Sequence, residues 1–230
     1  QEDSVRAAFE GTHTLFARQE ETRGTGDAVA SALSVLPESG TVVVMAGDAP
    51  LLRTETVQQL LSAHGDAAVT VLTAQLADGA HYGRLERSSD GQPLRIVEAR
   101  EASAQQLEIR EINTGLYCFD IDWLRTVLPT LKPHAHKDEI YLTDTVERAA
   151  RDGRCRVLVH PDFDEVQGVN DRYELARTRS VLQKRIIEAH GREGVDFEAP
   201  DQTIVECDVV IGADVLIGLV CVLRLSHIHI

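Results

Sequence analysis

The chain has 230 residues, 43% of them hydrophobic, and a formal net charge of -14. That length predicts one large domain plus part of a second, with apolar residues enough for a core. The acidic balance excludes a non-specific binder of nucleic acid polymers, which needs a basic surface, but leaves room for single nucleotides held by local donors and a divalent cation.

No apolar run is long enough to span a bilayer and no leader pattern is visible, so a cytoplasmic protein with no membrane partner is expected. Cys118, Cys155, Cys207 and Cys221 form no Cys-x-x-Cys pair and are expected to be reduced and buried. The nine histidines show no metal spacing; His134 and His136 are two apart, as are His227 and His229.

In chain order, Ser4 to Phe9 reads as a short amphipathic segment and Thr12 to Arg18 as a strand, followed by a polar loop from Gln19 to Asp27. Ala28 to Leu36 predicts a helix that ends before Pro37. Val42 to Met45 is a β-branched run that fits a strand covered on both faces, as in a parallel sheet. It delivers Gly47 and Asp48 and stops at Pro50, which places one carboxylate at a strand end, where open α/β sheets bind ligands. A helix near Glu55 to His64 with Thr54 as N-cap follows, then a strand from Ala67 to Gln75. Gly83 to Arg87, Leu94 to Glu98 and Asn113 to Phe119 read as shorter strands around a charged connection. Helices are predicted over Asp122 to Leu131 and Thr143 to Arg151, the second capped by Thr143. A strand over Cys155 to His160 and a long amphipathic helix over Asp171 to Ala189 complete an alternating α/β pattern.

From Val205 the period changes. Val205, Ile211, Ile217 and Leu223 recur every six residues, Gly212 and Gly218 follow two of them, and Val209, Val215 and Cys221 form a second sixfold series. A period of six matches the hexapeptide repeat of a β-helix, here about one coil. Both ends of the chain are expected to be cut, and the closing LRLSHIHI is atypical of the repeat.

Several polar motifs sit at strand ends or in loops: Gly24-Thr25-Gly26, Gly47-Asp48, Tyr82-Gly83-Arg84, Val97-Glu98, Asn113-Thr114-Gly115, Tyr141-Leu142-Thr143-Asp144 and Gly168-Val169-Asn170. Each alone is a common turn or surface pattern. In this order and spacing, from about Thr12 to Gly218, the chain resembles the sugar-nucleotidyltransferases. Within them it is most similar to the bacterial bifunctional N-acetylglucosamine-1-phosphate uridyltransferase/glucosamine-1-phosphate acetyltransferase family.

The resemblance implies an α/β fold with a Rossmann-like, GT-A-like mixed sheet, followed by the first coil of a left-handed parallel β-helix. It implies a nucleotidyltransferase domain over 1–170, a linker with the long helix over 171–200 and the start of the repeat over 201–230. Gln19, Gly24 and Thr25 correspond to residues that read uracil, Ala46, Gly47 and Asp48 to the segment beneath the nucleotide, and Gly83, Glu98 and Asn113 to the sugar pocket. Asp48 and Asn170 correspond to the two protein ligands of Mg2+, a minimum that suits an ion retaining several waters. The implied substrates are UTP and N-acetylglucosamine-1-phosphate, with acetyl-CoA serving a C-terminal half and a homotrimer in the full-length protein.

The pattern departs from the family at Asp27, where His is common, and the glycine-rich triphosphate loop would precede Gln1. The fragment alone is therefore expected to be inactive. Another sugar-1-phosphate nucleotidyltransferase and a non-catalytic nucleotide-binding scaffold subunit are the alternatives. No catalytic residue is expected beyond the metal ligands, and Tyr141 to Asp144 is read as a helix start with packing duties.

Overall fold

The computed structural model describes residues 2–134 and 138–224; His136, His227, His229 and the closing 225–230 stretch of the atypical tail lie outside the described residues. Two compact units share the chain, one built from residues 1–46 and 53–163, the other from 47–52 and 164–230.

The first unit runs α1 (Glu2–Ala8), α2 (Thr25–Ala32), β1 (Thr41–Val44), α3 (Thr54–His64), β2 (Val69–Gln75), β3 (Arg84–Arg87), β4 (Pro93–Val97), α4 (Ala104–Leu107), β5 (Glu111–Asp120), α5 (Ile121–Val127), α6 (Asp144–Arg151) and β6 (Cys155–His160). Its six-stranded sheet is ordered β4-β3-β5-β2-β6, with β1 also on β5. All pairings are antiparallel except β2 with β6, so the sheet is mixed. β2 is central because its residues tolerate burial on both faces: Val69 through Ala74 are all buried. Thr70 and Thr73, which interrupt the apolar run, are satisfied by His64 Nδ1 at 2.9 Å and by Glu111 Oε1 at 2.8 Å. Val69, Val71, Tyr117, Phe119, Leu124 and Val146 form the centre of the core, each contributing on the order of 1.5–3 kcal/mol of apolar burial.

β5 is read in two frames. Leu72 opposes Leu116, but Thr73 opposes Asn113, so Thr114 and Gly115 bulge out of the ladder. Gly115 takes φ +78, a left-handed conformation that suits glycine, and the Thr114 hydroxyl donates to Leu72 O at 2.8 Å. The other edge of β5 is divided: Ile112 pairs with Arg84 of β3, and Tyr117 to Asp120 pair with β1.

Two expectations are corrected. Val42 to Val44 are only half-buried and Met45 is 58% exposed, because β1 has β5 as its partner on one side and lies antiparallel to it. A β-branched run signals strand, and which neighbours it finds is a non-local matter. Residues 13–19 adopt no regular element and 11–18 are exposed; the alternation there is compatible with a strand but meets no pairing edge among the described residues.

The second unit contains most of α7 (Phe163–Val166), then α8 (Arg172–Arg192), β7 (Asp196–Phe197), β8 (Ile204–Val205), β9 (Leu216–Ile217) and β10 (Val222–Leu223). Asp171 caps α8 by accepting from Glu174 N at 2.8 Å. β8 pairs in parallel with β10, Ile204 opposite Val222, so the chain returns on itself after three six-residue steps. β7 pairs in parallel with β9, Asp196 opposite Leu216. Val205 and Ile217 of the first sixfold series are buried and Ile211 and Leu223 half-buried, whereas Val215 of the second is 39% exposed. Gln183 of α8 clasps β8, donating to Val205 O and accepting from Val205 N, both at 2.9 Å.

All four cysteines are free. Burial pushes the Cys118 thiol up to about 11, but Cys207 is exposed, contrary to the expectation of four buried thiols. No helix is long and apolar enough to cross a membrane among the described residues.

Candidate active site

In the first unit, the turn that opens α2 is built on glycine. Gly24 sits at φ +93, and a Cβ there would lie 2.6 Å from Ile140 O and 3.0 Å from Ile140 N. Gly26 N donates to Ile140 O at 2.8 Å, Ile140 N to Arg23 O at 2.7 Å, and Leu142 N to the Thr25 hydroxyl at 3.0 Å. The 23–26 turn and the 140–142 segment therefore bind each other through main chain. Gln19 folds onto the same turn, its amide nitrogen 2.7 Å from Asp27 Oδ2 and 3.2 Å from Gly24 O.

A second group gathers where β4 ends, β3 begins and β5 bulges. Gly83 O accepts from Asn113 N at 2.9 Å, and a Cβ on Gly83 would meet Ile96 at 2.9 Å and Glu98 Oε2 at 3.6 Å. Asn113 Oδ1 accepts from Gly115 N at 3.1 Å, which orders the bulge. Ala46, just beyond β1, has its Cβ 4.0 Å from the position a Gly115 Cβ would take. Glu98 Oε1 accepts from the Thr143 hydroxyl at 2.9 Å. Burial pushes the Glu98 carboxyl above the ordinary range; the Thr143 hydrogen bond opposes this, and Glu101 and Asp144 add to it. Burial also raises the Tyr117 hydroxyl, with the Glu98 charge adding to the shift and a bond to Asn113 countering it.

The 140–143 segment joins the two groups, since Leu142 holds Thr25 and Thr143 holds Glu98. Gln19, Gly24, Thr25 and Glu98 line one cavity of about 590 Å3, together with His81 and Tyr141. Glu98, 73 positions beyond Thr25 in sequence, thus meets Gln19, Gly24 and Thr25. Thr143, read from the sequence as an N-cap, makes no capping bond; its hydroxyl serves Glu98 instead. Tyr141 and Thr143 are the functional candidates that sequence reasoning left out. Their signal was the position of the Tyr-Leu-Thr-Asp motif in the same ordered series.

In the second unit, the exposed Asp48 and Asn170 are brought near each other by main chain. Val169 N donates to Asp48 O at 2.9 Å, and Gly168 packs so closely that a Cβ there would lie 3.3 Å from Asp48 Oδ2. Arg185 fixes the neighbouring Leu51 O at 2.8 Å. Glu174 Oε2 accepts both the main-chain N and the side-chain Nδ2 of Asn170, at 2.6 and 3.2 Å, which aims the amide nitrogen at Glu174 and sets the carbonyl oxygen at the other end. Among the described residues there is no group of three or more His, Cys, Asp or Glu side chains able to hold a metal. The donor set here is one carboxylate and one amide carbonyl, all oxygen, which fits a hard divalent cation completed by water and phosphate oxygens. Gly47 is exposed, with nothing near its Cα that a Cβ would meet.

The MobA-like NTP transferase domain family matches residues 1–119. Among curated proteins, the chain is similar to the "Bifunctional protein GlmU" of Pelobacter propionicus, 42% identical over 226 residues, 96% of this chain and 49% of the relative. The protein of the same name from Mycobacterium sp. is 44% identical over 86% of this chain and 41% of its own length. That from Corynebacterium aurimucosum is 46% identical over 86% and 42%. The chain spans about half the length of the curated relatives it matches.

Proposed function

The chain belongs to the MobA-like NTP transferase domain family, and from that premise we propose that it is the uridylyl-transferring part of a protein that makes UDP-N-acetylglucosamine. In the reaction, an oxygen of the sugar 1-phosphate attacks the α-phosphorus of UTP. The bond from that phosphorus to the oxygen bridging the β-phosphorus breaks, and pyrophosphate leaves. Such chemistry needs positioning and charge neutralisation and no side-chain nucleophile.

The observation that carries the reading is the shared cavity of Gln19, Gly24, Thr25 and Glu98. On this reading Gln19, Gly24 and Thr25 meet the base, and Ala46 and Gly47 lie under the nucleotide. Gly83 lets the start of β3 approach Ile96 and Glu98 closely at the sugar end, while Glu98 and Asn113 bond the sugar's hydroxyl and acetamido groups. Support for the sugar role comes from the half-buried Glu98, whose second oxygen faces the side of Gly83 that lacks a Cβ. Buried polar groups of this kind discriminate strongly against ligands that leave them unpaired.

Asp48 and Asn170 would hold Mg2+, which when bound neutralises phosphate charge and fixes phosphate geometry. The main-chain bond from Val169 to Asp48 would keep the two ligands in register whether or not nucleotide is present. The reading extends to the protein as a whole: the word "bifunctional" in its relatives' name accords with a second activity, acetyl transfer from acetyl-CoA. The parallel return of β10 on β8 accords with the opening coil of a β-helix that assembles trimers. The domain division proposed with it is 1–170, 171–200 and 201–230.

The test is pyrophosphate release from UTP and N-acetylglucosamine-1-phosphate by the protein that carries this chain. Asp48→Asn should reduce magnesium-supported turnover at least about a hundredfold while leaving the melting temperature within about 2 °C, since Asp48 is exposed. Turnover at the parent rate by the folded variant, or equal use of glucose-1-phosphate, refutes the assignment.

A further inference from the structure

The Gln19 amide is polarised by its neighbours. Asp27 Oδ2 lies 2.7 Å from one end of that amide and Gly24 O 3.2 Å from the same end. A carboxylate and a carbonyl are both acceptors, so the end facing them must be the NH2 group. The amide oxygen is then the end presented elsewhere, and it makes no hydrogen bond among the described residues. Gln19 lines the cavity described above, beside Gly24 and Thr25.

Asp27 is itself well held for this task. It stands in the first turn of α2, where a negative charge is favoured, its side chain is only 16% exposed, and Arg23 Nη2 approaches its other oxygen at 3.4 Å. Ser31 Oγ bonds its main-chain carbonyl at 2.9 Å.

We propose that Asp27 is a specificity-determining positioning residue: by holding the Gln19 amide nitrogen it turns the amide oxygen out as an acceptor, so that the cavity takes a pyrimidine whose ring N3 carries hydrogen. The proposal rests on the reading that Gln19 meets the base. Uracil and thymine offer an N3–H donor to that oxygen. Cytosine offers a bare N3, and two acceptors then face each other with no proton between them. An amide flanked by groups of mixed character would read either edge; one flanked by two acceptors reads a single edge. The carboxylate that stands at position 27, where the family commonly has His, thereby sets base choice.

The test uses the parent chain and Asp27→Ala, which removes the acceptor and suits a helix, with Asp27→Leu as a second variant that removes it while filling the side-chain space. Two measurements are made: side-chain amide resonances of Gln19 in ligand-free protein, and affinities for UTP, CTP and 3-methyluridine triphosphate, whose N3 bears a methyl group. Main-chain amide spectra establish that each variant is folded. The parent should prefer UTP over both other nucleotides by about tenfold or more, the loss expected for one unpaired polar group. In the variants the Gln19 NH2 resonances should shift, and the preference should shrink to about threefold or less. A parent without preference overturns the base reading and the proposal together. A parent that prefers UTP, with folded variants that keep the preference or leave the Gln19 resonances unmoved, overturns the proposal and leaves the base reading standing.

Discussion

Replacing Gly24 by alanine tests the junction on which the base side of the site depends. Gly24 combines φ +93 with ψ -180, a region open essentially to glycine, and forcing a side chain there costs about 1–3 kcal/mol. The new Cβ would also stand 2.6 Å from Ile140 O, a main-chain atom that cannot swing aside. Overpacking of that kind adds about 1–3 kcal/mol. Gly40 supplies the control: its φ is +117, yet a Cβ there meets nothing within 4 Å, so Gly40→Ala carries the backbone term without the contact. Urea denaturation should therefore find Gly24→Ala less stable than Gly40→Ala by at least about 1 kcal/mol. Relief of the clash requires the turn to leave the 140–142 segment, which would break the bonds from Gly26 to Ile140 and from Leu142 to Thr25. UTP affinity should accordingly fall in Gly24→Ala and stay level in Gly40→Ala. Equal stabilities and equal affinities for the two variants would refute the reasoning.

His64 is buried and burial lowers its pKa below the ordinary 6.5, so the folded state binds fewer protons than the unfolded state. The stability it confers is present above pH 6.5 and lost as pH falls below it; the melting temperature should drop between pH 7.5 and 5.5, and His64→Gln should flatten that drop. Glu98 runs the opposite way: its folded pKa is raised, so its contribution to stability is full at low pH and is lost as pH rises through the folded value. Glu98→Gln should raise the urea midpoint at pH 7.5 and leave it unchanged near pH 4, while weakening use of the sugar phosphate; a destabilised Glu98→Gln at pH 7.5 would contradict the burial argument.

The order of elements was legible because glycine, proline and asparagine punctuate it. Gly47-Asp48, Gly83 and Asn113 stand just after a strand, just before one and at a break in one, and that signal is local. Partners were not legible. The Val42 run reads as a strand in any sheet, and only the distant Tyr117 to Asp120 stretch determines that it is antiparallel and half-covered. Thr12 to Arg18 has the alternation of a strand, yet alternation states what a segment can do and not whether an edge awaits it. Thr143 looked like a helix cap because capping is the commonest use of a threonine there; its bond to Glu98 spans 45 residues, and no local pattern encodes it. In the stretch that carries the sixfold series, Val222 pairs in parallel with Ile204, eighteen residues earlier.

The divided edge of β5 has a consequence for how such a protein can diverge. The β3–β4 ribbon joins β5 through one ladder pair, Arg84 with Ile112, backed by the bond from Asn113 N to Gly83 O and the Arg87–Glu111 ion pair, while β1 takes the far end of the same edge. Between the two attachments, the Thr114–Gly115 bulge shifts the register of β5 against β2. Substitutions that tilt or lengthen the ribbon need not propagate into the central strands. Changes around Gly83 and Glu98 can then be accommodated within the ribbon while the central strands beneath keep their pairing.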